Sequence, residues 1–243
     1  EKKIKKNNLN TYIKIRMKID SVRKLALWIF ILPFVSVNLC LIIVQSFQEF
    51  LAAGDGIGKT FPYFDGGTSI SRTARVFPTY LIFKPAMFVT SFLLIKYWLL
   101  NKEIIANYLP NEKNVKIFLI MGILSAVSLT LHSIFLGIKF DYSIYKFFRR
   151  FIMLSFIIFE LVAQVYLVIC LYKIRLKISN FVNYTVLKIK IALVSVLSIV
   201  AIISLPIVTT SGNKIFKHAL EWDFFLGIIL FYMLTFLMWK KQS

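Results

Sequence analysis

Six stretches of about twenty mostly apolar residues recur along the chain, separated by short basic or polar connectors. A helix of that length covers the roughly 30 Å hydrocarbon core of a bilayer. Lipid offers no partners to backbone N–H and C=O groups, so a lone apolar run of this size has to satisfy them within itself, as a helix. The pattern predicts an all-α polytopic membrane protein, a bundle of six transmembrane helices at about 25–47, 79–100, 116–138, 148–172, 191–210 and 220–239. The spans use most of the 243 residues. What remains is a basic tail over residues 1–24, an outer loop over 48–78 and short connectors, which leaves no separate soluble domain. The 58% hydrophobic share exceeds the roughly 45–50% of soluble domains.

The formal charge of +19 follows the connectors. With both termini on one side, 20 Lys and Arg fall on that side and 9 on the other, with Lys84 apart. The positive-inside rule then predicts that both termini are cytoplasmic. A nucleic-acid partner is not expected, because these charges lie between membrane spans instead of forming a groove-facing patch. In the tail, Tyr12, Ile13, Ile15, Met17 and Ile19 alternate with basic residues, which would suit an interfacial helix. A solvated positive-inside tail is the simpler expectation. The apolar run after it is longer than a signal-peptide core and reads as a retained anchor.

Other chemistry is sparse. Cys40 and Cys170 lie in opposite halves of the membrane and are not expected to bridge. Two histidines cannot supply a three-His zinc site, and neither a metal nor a cofactor is expected. The run Gly54-Asp55-Gly56-Ile57-Gly58-Lys59-Thr60 lacks the first glycine of a P-loop and follows a membrane span.

Two sets of polar residues remain. Within span 4, Glu160 and Gln164 are one turn apart and share a helix face, which should look into the bundle. An ionisable group at that depth is costly, by about 2.5–3.5 kcal/mol for Asp on insertion scales, and marks a functional or structural hydrogen-bonding site. The second set gathers at the outer ends of the spans: Asp65, Arg72, Lys84, His132, Asp141, Lys146, His218, Glu221 and Asp223. Cations there could hold a lipid phosphate, and carboxylates could bind sugar hydroxyls or order the cations.

Three short islands carry a resemblance. They are Asp65-Gly66-Gly67-Thr68-Ser69 followed by Arg72 or Arg75 and an aromatic approach to span 2, then Asp141-Tyr142-Ser143-Ile144-Tyr145-Lys146, then Glu221-Trp222 opening the last span. Together with the six-span plan they resemble the FRAG/DRAM/SFK family, which includes GPI-anchor lipid-remodelling factors. Tyr145 stands where family members often carry histidine. The resemblance implies lipid remodelling or handling at the outer or lumenal leaflet, with membrane lipids as partners. The membrane would be the plasma or inner membrane in a bacterium, and a Golgi, ER or endolysosomal membrane in a eukaryote. Two alternatives follow from the residues: a membrane-embedded hydrolase or acyltransferase recruiting His132 or His218 with Asp141, Glu221 or Asp223, and a small proton-coupled transporter using Glu160, Gln164 and Lys84. The inner halves of the spans read as too apolar for a polar path, which places transport last.

Overall fold

The computed structural model describes residues 2–52, 54–138, 143–209 and 212–241, with side chains except at 2–12, 143, 146, 205, 208 and 209. The described elements are α1 (Lys2–Ser46), a 3-10 turn (Gln48–Phe50), α2 (Pro62–Asp65), α3 (Ile70–Thr73), α4 (Tyr80–Ala106), α5 (Lys113–Phe135), α6 (Ser143–Ile174), α7 (Tyr184–Thr209) and α8 (Lys214–Met238). Six of them, α1 and α4 to α8, are long and apolar enough to cross a membrane. The protein is an all-α, six-span, multi-pass membrane protein.

Consecutive spans pack side by side and the last closes on the first, giving a ring in the order α1, α4, α5, α6, α7, α8. Short connectors enforce this neighbour-to-neighbour order. The α5–α6 contact is the most extensive, whereas α6 meets α7 and α8 only sparsely. Gly122 on α5 lets the Trp98 ring of α4 lie against the helix backbone, since a Cβ there would fall 2.4 Å from the indole.

The connectors end the helices by recognisable means. Asn111 and Gly137 take positive φ after α4 and α5. The Asn183 side chain accepts the Thr185 and Val186 amides at 3.1 and 3.4 Å and caps α7. At the termini face, Asn183 N–H donates to Met238 O and Lys240 N–H to Phe181 O, each at 2.8 Å, tying the α6–α7 connector to the end of α8.

The basic tail differs from the solvated segment expected. α1 runs unbroken through it, and Ile15, Ile19, Val22 and Ala26 form a buried stripe at helical spacing. Lys18 pairs with Glu103 at 2.6 Å, and Arg23 donates to Phe236 O at 3.2 Å with its guanidinium 4.4 Å from the Phe236 ring. From about residue 13 the tail is therefore bundle wall.

The loop between α1 and α4 folds over the opposite end of the bundle. α2 packs on α8, and α3 on both α1 and α8. Trp222 Nε1 donates to Thr68 O at 2.9 Å, the Tyr63 ring meets Trp222 edge-on at 4.9 Å, and Gln45 holds Thr60 O at 2.8 Å. Gly66 is required at the closest approach: its φ is +58°, and a Cβ would sit 1.9 Å from the Ile215 carbonyl oxygen. Cys40 and Cys170 are both free and buried.

Candidate functional site: a cavity one leaflet deep

An apolar cavity runs down the inside of the ring from the loop cap. Ile70, Ser71 and Glu221 lie at its loop end, with His132 on the α5 wall. Pro33 and Val37 of α1, Met87 and Leu94 of α4, and Met153, Phe156 and Ile157 of α6 form further walls, and Glu160 and Tyr232 lie at the other end. Along α8, Glu221 and Tyr232 are separated by about 16 Å at 1.5 Å per residue. That is about half of the roughly 30 Å hydrocarbon core, or one leaflet. The cavity volume is about 90 Å³, so the space is narrow.

Met153, Phe156, Ile157 and Glu160 are spaced i, i+3, i+4, i+7 on α6 and therefore present one face to the cavity. Glu160 is fully buried at the end of that face. Tyr232 donates to Glu160 Oε1, which also receives Gln164 Nε2–H at 3.1 Å. Ser125 Oγ lies 2.5 Å from Glu160 Oε2 and 2.8 Å from Gly122 O. A hydroxyl has one proton. With that proton on Gly122 O, a proton on Glu160 Oε2 completes the 2.5 Å contact, so the acid form satisfies both oxygens. Trp98 Nε1–H faces the same carboxyl from α4 without reaching hydrogen-bond geometry. Gln164 also reaches Ile228 O at 3.3 Å, which links α6 to α8 where their packing is thin.

At the loop end the Glu221 carboxylate meets the first amides of α3, with Ser71 N–H at 3.4 Å. His132 has Arg149 as its charged neighbour. Of the residues read as a headgroup set, these two, Glu221 and His132, share the cavity lining. The others are placed differently. Asp65 is exposed and accepts from Thr60 Oγ1 and from the Phe61 and Gly67 amides, both at 2.8 Å. Arg72 is exposed on α3. Lys84 reaches Ile134 O at 3.4 Å in the last turn of α5, where a cation is favoured by the helix dipole. His218 Nδ1 lies 3.1 Å from Gly66 O, within the cap, and Asp223 is exposed on α8. Asp141 lies outside the described residues, as does the Lys146 side chain. Among the described residues, no three His, Cys, Asp or Glu side chains converge as metal ligands.

The Asp65 bonds make the cap pH-dependent. The Thr60 hydroxyl first, then the Gly67 and Phe61 amides, hold its carboxyl below the usual value of 3.8. Its contribution is fully present above that value and is lost as pH falls through the depressed folded value. Cleavage in the loop by an acid-active protease is expected to accelerate in that acid range, and Asp65→Asn should show the faster rate already at pH values above it.

Sequence reasoning missed Lys190. It lies one residue before the apolar run expected to start at 191, among the basic residues that precede that span, yet it is fully buried in α7. Its Nζ donates to Thr235 Oγ1 at 2.6 Å and lies 3.8 Å from the centre of the Phe231 ring. The signal was available: Leu187, Lys190 and Val194 fall on one helical face, and all are buried. The chain matches no family model, and neither a curated protein nor a solved structure is similar to it.

Proposed function

We propose that the protein binds a membrane lipid, with one acyl chain in the cavity and the headgroup at its loop end. The observation that carries this reading is the shape and polarity of the cavity: one leaflet deep, narrow, walled by apolar side chains, and ionisable where it meets the cap. Acyl chains are extended and flexible and suit such a space, whereas a ring-bearing cofactor needs greater width. His132 offers a donor to a phosphate, with the positive charge of Arg149 nearby, and Glu221 an acceptor for headgroup hydroxyls or an amine. The resemblance to lipid-handling six-span proteins of the FRAG/DRAM/SFK type points the same way, and a role in lipid remodelling at the leaflet of the loop face is part of the proposal. The positive-inside distribution of Lys and Arg supports placing that leaflet on the non-cytoplasmic side.

Native mass spectrometry in mild detergent, with identification of extracted lipids, tests the reading. Wild type is expected to retain a defined lipid. Ile157→Trp, which fills the cavity from α6, should lose it while remaining monodisperse. Arg72→Ala combined with Lys84→Ala should keep it, because neither residue lines the cavity. Equal retention in wild type and Ile157→Trp, in bulk proportions, would sink the proposal.

A further inference from the structure

A second hollow lies at the termini face, at the opposite end of the ring from the loop cap. Its volume is about 360 Å³, and it is lined by Arg175, Leu176, Ser179 and Val182 of the α6–α7 connector and by Tyr184, the first residue of α7. Three basic side chains from three parts of the chain are tied to its walls. The Arg175 guanidinium lies 4.0 Å from the centre of the Tyr172 ring, and its Nη1 donates to Tyr172 O at 2.9 Å. Lys188 of α7 places Nζ 5.1 Å from the centre of the Tyr184 ring. Lys240, just beyond α8, places Nζ 3.5 Å from Ser179 O. Among the described residues none of the three is in an ion pair, whereas Lys173 is already paired with Glu112 at 2.9 Å. Lys177 adds a further charge to the connector, and no Asp or Glu occurs between Lys173 and Lys190. The positive end of the α7 dipole adds to the same field.

We infer that this hollow binds the phosphate of an anionic phospholipid from the leaflet at the termini face, with Arg175, Lys188 and Lys240 as its cations. Stacking on Tyr172 fixes the Arg175 fork, and one N–H spent on Tyr172 O leaves the others for phosphate oxygens. The two lysines supply point charges from the other walls. The apolar residues of the rim select a lipid over a soluble anion. Leu176 is 81% exposed beside Arg175, and the Tyr172 and Tyr184 rings are exposed next to it at the ends of two spans. That is the level of the bilayer interface, where tyrosine collects and a leucine meets acyl chains. Each Lys or Arg near an anionic leaflet is attracted to it, and three around one hollow turn that diffuse attraction into a position. The site is separate from the cavity and does not depend on what occupies it.

The test titrates the purified full chain in mild detergent with phosphatidylglycerol or with phosphatidylcholine of the same acyl chains, and counts bound lipid by native mass spectrometry. Wild type is expected to prefer phosphatidylglycerol several-fold. The triple variant Arg175→Gln, Lys188→Gln and Lys240→Gln should lose the preference. Lys102→Gln, Lys113→Gln and Lys116→Gln together remove equal charge from the α4–α5 side of the same face and should keep it, as should Ile157→Trp, which fills the cavity. Gel filtration establishes folding, and Lys188→Gln alone, a change at an exposed site, carries the test through a weakened preference if the triple variant does not fold. Absence of a preference in wild type overturns the inference, as does its persistence in the folded hollow variants. Equal loss in the two triple variants would replace the site by a diffuse field, and loss in Ile157→Trp would move the preference to the cavity. Displacement of the lipid by millimolar inorganic phosphate would overturn the choice of a lipid as occupant.

Discussion

Glu160→Ala is expected to destabilise the bundle by about 2–5 kcal/mol, measured by denaturant titration in mixed micelles. The range combines a buried cavity with donors left unpaired. The Tyr232 hydroxyl and the Gln164 amide lose their shared acceptor, and Ser125 loses its contact to Oε2. Glu160→Gln separates this cost from that of the charge. The glutamine oxygen accepts from Tyr232 and Gln164 as Oε1 does, and its NH₂ donates to Ser125, which keeps its bond to Gly122 O. Its stability should lie within about 1 kcal/mol of wild type, the size of one net hydrogen bond. A loss for glutamine as large as that for alanine would show that the site is built around a carboxylate.

The second large effect belongs to the cap. Gly66→Ala is expected to release the loop from α8, because the substitution combines left-handed backbone with a Cβ 1.9 Å from the Ile215 carbonyl oxygen. The left-handed conformation alone costs about 1–2 kcal/mol in an L-residue, and the obstacle is backbone that cannot rotate away. The contacts that depend on this approach are the Gly66–His218 and Thr68–Trp222 hydrogen bonds. Amide hydrogen exchange over residues 60–73 should rise toward that of a free loop, and Trp222 emission should shift to the red. Gly58→Ala is the matched control, since a Cβ there meets nothing within 4 Å. Unchanged exchange in Gly66→Ala would mean that the loop is not held at that point.

The spans were legible because lipid leaves the backbone one economical solution, and length with apolar character then identifies it. Their ends were less so: α6 begins at Ser143 and α7 at Tyr184, several residues before the apolar runs expected at 148 and 191. Polar residues near a membrane face are compatible with helix and connector alike, and hydropathy does not separate them. The same ambiguity hid Lys190. Glu160 and Gln164, one turn apart in sequence, are both buried inside the bundle and hydrogen-bonded to each other. The charged residues around the cap could not be sorted in this way. Asp65 and Glu221 look alike in sequence, but one closes a turn on itself while the other faces the cavity. That distinction comes from how a loop between the first two spans lies on the sixth, a contact across about 150 residues that no local pattern records.

The closure of the ring sets an order on how the protein can be made. α1 leaves the ribosome first and α8 last, yet they are neighbours, latched by Arg23 on Phe236. Until α8 is inserted, the cavity has no wall on that side, Glu160 lacks Tyr232, and Lys190 lacks Thr235. From the insertion of α6 until that of α8, the nascent chain therefore holds an ionisable side chain in the bilayer without all of its partners. Arrival of the sixth span is the event that supplies those partners and closes the ring.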